Sequence, residues 1–388
     1  MQCTVSLNNC SQKLRRLCRV VLATGTVMAG LAIPAAAQTQ APPDATQDSS
    51  TAAFFKHLDV SGFVDGYYGY NFNKPADGKA GPERIFDVRP NAFSFNLAEF
   101  SVEKKPVADS RAGFRLDFDF GPTADLVKAA EPGGAQILRN IGQAYVSYLA
   151  PVGKGWQFDF GEFVTPLGNE VIKTKDNWNY SRGLLFTLAI PFYHMGVRST
   201  YSFNDSVTFS GYVVNGWNNI VDNNTKKTLG VQAAVKPFKS LTLTQGYMGG
   251  VEQTGVDDRR HVLDSIATYT VTPKLILAGN YDFGMDKQSG ARVEWQGFAG
   301  YARFQPAAWV AISPRAEYYN DRDGFTSGQA QKIKEATVTG ELKQKDGFVL
   351  RLEYRHDFSD IPFWVTNNRF IDHQSTFTVG VLYSISNE

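Results

Sequence analysis

After residue 18 this 388-residue chain has no cysteine, because Cys3, Cys10 and Cys18 are the only three. A disulfide-stapled scaffold is therefore excluded for the rest of the chain. After residue 37 there is also no apolar run of the roughly 20 residues that a membrane-spanning helix needs. Histidine is scarce. His57, His194, His261, His356 and His373 show no HExxH or other metal-ligand spacing, so neither a metal nor any other cofactor is expected. Charge is balanced at 39 basic and 38 acidic residues, and no basic cluster or zinc-finger spacing occurs. No nucleic-acid partner is expected.

What is present begins with a basic, apolar, small-residue order at the N-terminus. Lys13, Arg15, Arg16 and Arg19 precede an apolar stretch from Val20 to Ile33, and Ala35, Ala36 and Ala37 precede Gln38. This order reads as a secretory signal peptide over 1–37, and a stretch of fourteen residues is too short to span a bilayer as a helix. Without its four basic residues the remainder carries 35 basic against 38 acidic, a formal net of −3. Residues 38–56, polar and small at first, read as a flexible periplasmic leader. The remaining domain, 57–388, is rich in Phe, Tyr and Gly.

Period two dominates that domain. In 111–120 Phe114, Leu116, Phe118 and Phe120 alternate with Arg115, Asp117 and Asp119. In 348–358 Phe348, Leu350, Leu352 and Tyr354 alternate with Arg351, Glu353, Arg355 and Asp357. Successive side chains of a strand point to opposite faces, so one face is apolar and the other charged. One such strand fits a soluble sandwich or an outer-membrane barrel equally well. The whole set discriminates.

Sixteen strands are drawn, at about 58–72, 91–102, 110–120, 139–149, 155–163, 191–203, 206–215, 227–236, 240–249, 260–271, 274–284, 292–304, 308–319, 332–342, 347–358 and 372–385. Most exceed the five or six residues usual in globular strands and suit tilted membrane strands of roughly nine to eleven plus overhang. Long links alternate with short ones, the latter centred on Asn204–Asp205, Pro237, Pro273, Pro306 and Lys345–Asp346 among others. Short periplasmic turns and long external loops have this asymmetry. Lipid offers no partner to an open sheet edge, so the sheet must close. The expectation is all-β: a closed antiparallel transmembrane β-barrel of about 16 strands, with both termini periplasmic and a polar, water-filled lumen. Tyr67, Tyr70, Trp156, Trp309 and Tyr318 are assigned to interfacial aromatic girdles. Its partners would be outer-membrane lipid and the barrel assembly machinery, and a homo-oligomer is admitted.

Residues 160–201, FGEFVTPLGNEVIKTKDNWNYSRGLLFTLAIPFYHMGVRSTY, contain Gly168 to Glu170, Asn177 to Arg182 and Pro191 to Gly196. With VVNGWNNIVDNNTKKTLG at 213–230, these strings resemble the OmpL-like family of outer-membrane β-barrel porins. The resemblance runs from about residue 57 to the C-terminus. It implies a porin of the bacterial outer membrane, passing ions and small hydrophilic solutes by passive diffusion, and it names no solute and no catalytic residue. Many such barrels end in an aromatic residue, whereas this chain ends Ser384, Ile385, Ser386, Asn387, Glu388, which shifts the assembly signal to Tyr383 or an internal strand.

On the lipid face Arg or Lys would cost roughly 2–4 kcal/mol at the midplane. Arg111, Arg115, Asp117, Asp119, Arg351, Glu353, Arg355 and Asp357 are therefore assigned inward, either as a field that sorts ions or as a lattice that holds the wall together. The longest link, 164–190, holds Glu170, Lys173, Lys175, Asp176 and Arg182, a net of +1, beside Trp178, Tyr180 and the apolar run LLFTLAI. A freely solvated loop has no use for that run, so folding inward as a constriction is expected, with an external loop packed on its neighbours or at a subunit contact as the alternative.

An enzyme is not expected. His194 and Ser199 lie five apart on one strand and face opposite ways, while Ser202 is about 26 Å from His194 at normal strand rise. Asp257 with Asp258, and Asp321 with Asp323, are weak calcium candidates. The alternative function is a non-conducting structural or adhesive barrel, with Phe298, Phe304 and Tyr212 as bulky inward residues.

Overall fold

The computed structural model describes residues 57–132, 136–288, 290–367 and 369–387, so the stretches read as a signal peptide, 1–37, and as a leader, 38–56, lie outside the described residues. The chain forms β1 (Leu58–Asn71), β2 (Ala92–Lys104), β3 (Ala112–Phe120), β4 (Ile141–Ala150), β5 (Trp156–Val164), β6 (Tyr193–Asn204), β7 (Val207–Val214) and β8 (Thr228–Phe238). It continues with β9 (Leu241–Val251), β10 (Arg259–Thr272), β11 (Leu275–Gln288), β12 (Ala291–Ala307), β13 (Val310–Asp321), β14 (Gln331–Lys343) and β15 (Phe348–Ser359). A small hairpin, β16 (Trp364–Thr366) and β17 (Arg369–Ile371), then precedes β18 (His373–Ser386). All but the hairpin belong to one closed barrel of sixteen antiparallel strands.

Each strand pairs with its sequence neighbour, and β1 closes on β18, where Val64 faces Tyr383 and Tyr68 faces Val379. Every barrel strand falls within four residues of its sequence-based position. The differences have local causes. β8 runs through Pro237 and β12 through Pro306, each beside a register shift, so these prolines sit in irregular strand ends instead of turn centres. A missing N–H is tolerated there because no ladder bond is lost. The last long link also holds a hairpin that the sequence pattern did not separate from loop.

Exposure is inside out relative to a soluble sheet. Phe93 is 91 % exposed, and Phe100, Phe118, Phe160, Leu352 and Tyr354 are all exposed, while Asp65, Glu99, Asp117, Asp159, Arg351 and Glu353 are buried. Lipid solvates the first set and the interior holds the second. Two aromatic assignments change accordingly. Tyr67 is buried on the inward face of β1, because it shares parity with Asp65 and Asn71. Phe298 and Phe304 face outward, alternating with buried Trp295, Ala299 and Tyr301, so only Tyr212 adds inward bulk.

Candidate constriction inside the barrel

The link from β5 to β6, residues 165–192, lies inside the barrel. Backbone freedom starts it. Gly161 has φ 142°, and a Cβ there would meet Ala144 O at 2.2 Å, so only glycine lets β5 bend before its last turn. At Gly183 a Cβ would lie 2.4 Å from the Glu317 carboxylate, so glycine again permits the close approach.

The segment's polar atoms reach strands all around the wall. Thr174 Oγ1 and Tyr180 OH donate to the two oxygens of Asp65 on β1, at 2.6 and 2.8 Å. Lys173 pairs with Glu99 on β2 and donates to Asp117 Oδ2 on β3 at 2.7 Å. Across the lumen, Asn169 N donates to Asn280 Oδ1 on β11 and Trp295 Nε1 on β12 donates to Ala189 O. Asn179 Nδ2 bridges Ser313 O on β13 and Thr339 Oγ1 on β14. On β15, Arg351 donates to the carbonyls of Thr174, Asn177 and Asn179, and Arg355 to that of Arg182. Glu353 accepts from Tyr180 N at 2.6 Å and Ser181 N at 3.0 Å.

Arg315 on β13 is the central tie. It donates to Glu170 Oε1 at 2.6 Å and Ser181 O at 2.7 Å, and makes a forked pair with Glu335 on β14 at 3.1 and 2.8 Å. Planar bidentate geometry lets one guanidinium hold wall and segment together. The apolar run finishes the packing. Leu184, Leu185, Phe186, Ala189 and Ile190 are buried in a cluster with Phe86, Phe163, Trp295 and Tyr319. The run forms a short π-helical turn, Leu185–Ala189.

The sequence-selected residues divide into three groups. Glu170, Lys173, Arg182, Asp117, Arg351, Glu353 and Arg355 meet at the segment's inner contacts, with Arg182 donating to Tyr180 O at 2.9 Å. Asp119 is buried beside them, and Asp357 pairs with Arg355 at 2.7 Å and Arg84 at 3.5 Å. Lys175 and Asp176 pair with each other at 3.0 Å and remain partly exposed. Arg115 is a quarter exposed, between Glu103 and Asp117. Arg111 stands apart, at the short-link end, donating to Leu149 O.

Several interior residues were missed. Arg315, Glu317, Glu335 and Glu341 alternate with outward Ala316, Tyr318, Ala336 and Gly340, so the parity that selected β15 would have found them. No local pattern marks the 72–91 link, yet it also descends into the mouth. Arg84 pairs there with Asp87 and donates to Thr376 Oγ1. Glu83 accepts from Trp364 Nε1 at 3.0 Å and Gln374 Nε2 at 3.3 Å. Burial first, and the charge of Asp357 second, push the Glu83 carboxyl up to about 7.

The remaining candidates have structural partners. His194 is buried between Gly216 O and Thr165 Oγ1, while Ser199 accepts from Trp156 Nε1. Asp321 accepts from the N–H groups of Phe325, Thr326 and Ser327, which fixes the 322–330 loop.

Residues 57–385 match the model of the family described as "Putative beta-barrel porin-2, OmpL-like". No curated protein sequence matches the chain. Among solved structures it is similar to the anion-selective porin from Comamonas acidovorans, with TM-score 0.59 and 11% identity over 84% of this chain and 99% of that one. It is also similar to the outer membrane channel DcaP of Acinetobacter baumannii, with TM-score 0.57 and 12% identity over 84% and 97%. OmpT of Vibrio cholerae, in its trimer form, gives TM-score 0.58 and 11% identity over 84% and 99%. At these identities the structures establish the fold alone.

Proposed function

The chain belongs to this OmpL-like β-barrel porin family, and from that premise we propose that the 165–192 segment is the constriction that sets what the channel passes. The protein is a porin of the bacterial outer membrane, a channel for passive diffusion of ions and small hydrophilic solutes. The observation that carries the proposal is the ring of ties from Asp65, Asp117, Arg315, Arg351 and Glu353 to one inserted segment. A sixteen-stranded barrel is wide enough to leave an aqueous channel unless something intrudes. Here the intrusion carries its own charges to the narrowest level, where salt screens them less than at the mouth. Lys175 and Asp176, partly exposed and ion-paired with each other, are the segment's charges best placed to meet a passing ion.

No enzymatic role is proposed: His194 is buried between Gly216 O and Thr165 Oγ1, and Ser199 accepts from Trp156 Nε1. A homo-oligomer is proposed, as are residues 1–37 as a signal peptide and 38–56 as a leader. The buried apolar run favours one second reading, a barrel closed at rest. Refolded protein in planar bilayers tests both. The constriction predicts small, steady, ion-sorting steps that grow when residues 171–182 are deleted. Steps unchanged by the deletion overturn it, and a silent wild type with a conducting deletion variant supports the closed barrel.

A further inference from the structure

The outward face of β14 carries two lysines near the external rim. Along β14 the outward residues read, from the external end, Lys332, Lys334, Ala336, Val338, Gly340 and Leu342, alternating with buried Gln331, Ile333, Glu335, Thr337, Thr339 and Glu341. Lys332 and Lys334 are both exposed, and among the described residues neither ammonium has a hydrogen-bond or ion-pair partner. Lys334 stands opposite Tyr318 on β13 and Phe358 on β15, at the height where an aromatic belt meets lipid headgroups. His356, one row lower, lies beside His373, with ring centroids 6.2 Å apart. Two cations on the hydrocarbon side of a wall are costly unless they reach an anionic headgroup layer.

A second feature starts beside the lysines. In one cross-strand row Ala336 faces Ala316, Ala316 faces Gly300, Gly300 faces Gly279, and Gly279 faces Ala267. All five point outward, so the row is a shallow trough across β14 to β10. It descends into the membrane: Ala336 is five residues from the external end of its strand, Gly279 nine from the external end of its own. At its lower end the trough opens into a hollow of about 570 Å³ bordered by Ala267, Gly279, Tyr281 and Phe298. From β14 to β11 it spans three strand spacings, roughly 14 Å, the scale of a fatty acyl chain.

We infer that this surface binds a phosphorylated glycolipid of the outer leaflet, with a phosphate on Lys332 and Lys334 and an acyl chain in the Ala336–Gly279 trough. The juxtaposition supports one occupant. Charge-assisted hydrogen bonds from two unpartnered ammonium groups suit a phosphate, which has several acceptor oxygens. The trough supplies an apolar bed that begins at those ammonium groups and leads away from the headgroup layer. A free phosphate would use the lysines and leave the trough without a role. An uncharged lipid would do the reverse.

Native mass spectrometry of the refolded full chain in detergent tests this, with a diphosphorylated hexa-acyl glucosamine disaccharide as probe. Phosphatidylglycerol and inorganic phosphate are the comparison probes. Wild type should retain the glycolipid at least tenfold better than either. Lys332→Gln with Lys334→Gln should remove most of that preference. Gly300→Leu should weaken retention several-fold with the lysines intact, since a Cβ there meets nothing closer than Phe298 at 3.8 Å and the wall can accept it. Heat-modifiable gel mobility confirms that each variant is folded. Lys343→Gln, at the opposite end of the same strand, should bind like wild type. Equal retention of the three probes overturns the proposal. So does unchanged binding in the folded double-lysine variant. Unchanged binding in Gly300→Leu overturns the acyl trough.

Discussion

β3 and β15 carry the same message in sequence and meet different fates in the barrel. Each alternates aromatic or aliphatic side chains with arginines and carboxylates, and in each the charged set points inward. On β3 the Arg115 side chain keeps 25% of its surface and pairs sideways with Asp117 and Glu103. On β15 Arg351 and Arg355 keep 2% and 1%, because their guanidinium groups are occupied by carbonyls of the 165–192 segment. Parity decides which face a charge lies on. Where the inserted segment leans decides whether that charge still sees water.

The largest effect should come from removing the cause of the difference. Deleting 171–182 takes away the carbonyls that occupy Arg351 and Arg355, and single-channel conductance should rise several-fold. If conductance in a folded, inserted deletion variant matches wild type, β15 is covered by something else. Cutting the central tie comes next. Arg315→Ala leaves buried Glu170 without the cation it pairs with and Glu335 with Arg355 alone, at 3.2 Å, and breaking a buried pair costs about 3–5 kcal/mol. Equilibrium unfolding in urea should show that loss, and a midpoint equal to wild type would contradict it.

Accessibility tests the comparison directly. In a chain freed of its first 37 residues, cysteine at Arg115 should react with a water-soluble thiol reagent far faster than cysteine at Arg355. Cysteines at Leu116 and Leu352 should be protected by lipid or detergent. Equal labelling of the two arginine positions would mean that the segment does not cover β15. Charge reversal gives a smaller effect. Lys175→Glu should move the reversal potential toward cations with little effect on the fold, because among the described residues Lys175 has its ion pair with the adjacent Asp176 and otherwise stands 5.8 Å from the Phe63 ring. The same change at Lys173 would set three carboxylates together with Glu99 and Asp117, and should displace the segment as well.

The smallest effect concerns the 72–91 link. Because its folded value is raised to about 7, Glu83 keeps its proton where the unfolded chain has lost it. The folded state then binds more protons, so packing of this link on Trp364 should weaken as pH rises from about 4.5 through 7. Hydrogen exchange of the 72–91 amides should quicken over that window, and Glu83→Gln should flatten the dependence. A profile unchanged by the substitution would assign it to another group.

The sixteen strands, their faces and the alternation of long and short links were all present in the sequence, because period two and loop length are local quantities. Parity read from Arg351 to Asp357 places a charged face inward whatever lies beyond it. The same reading misassigned Tyr67 to a girdle only where nearness to a strand end was used in place of parity. The run LLFTLAI also announced, by its apolar character alone, that residues 184–190 need something to pack on. What packs on it is set by residues far away in the chain. Phe86, Trp295 and Tyr319 become its neighbours, and Glu170 meets Arg315, 145 positions distant, only once the sheet has closed. The descent of the 72–91 link and the outward trough from Ala336 to Gly279 are likewise products of closure. Each joins residues of several strands in a row perpendicular to the chain, and a linear pattern has no coordinate for that direction.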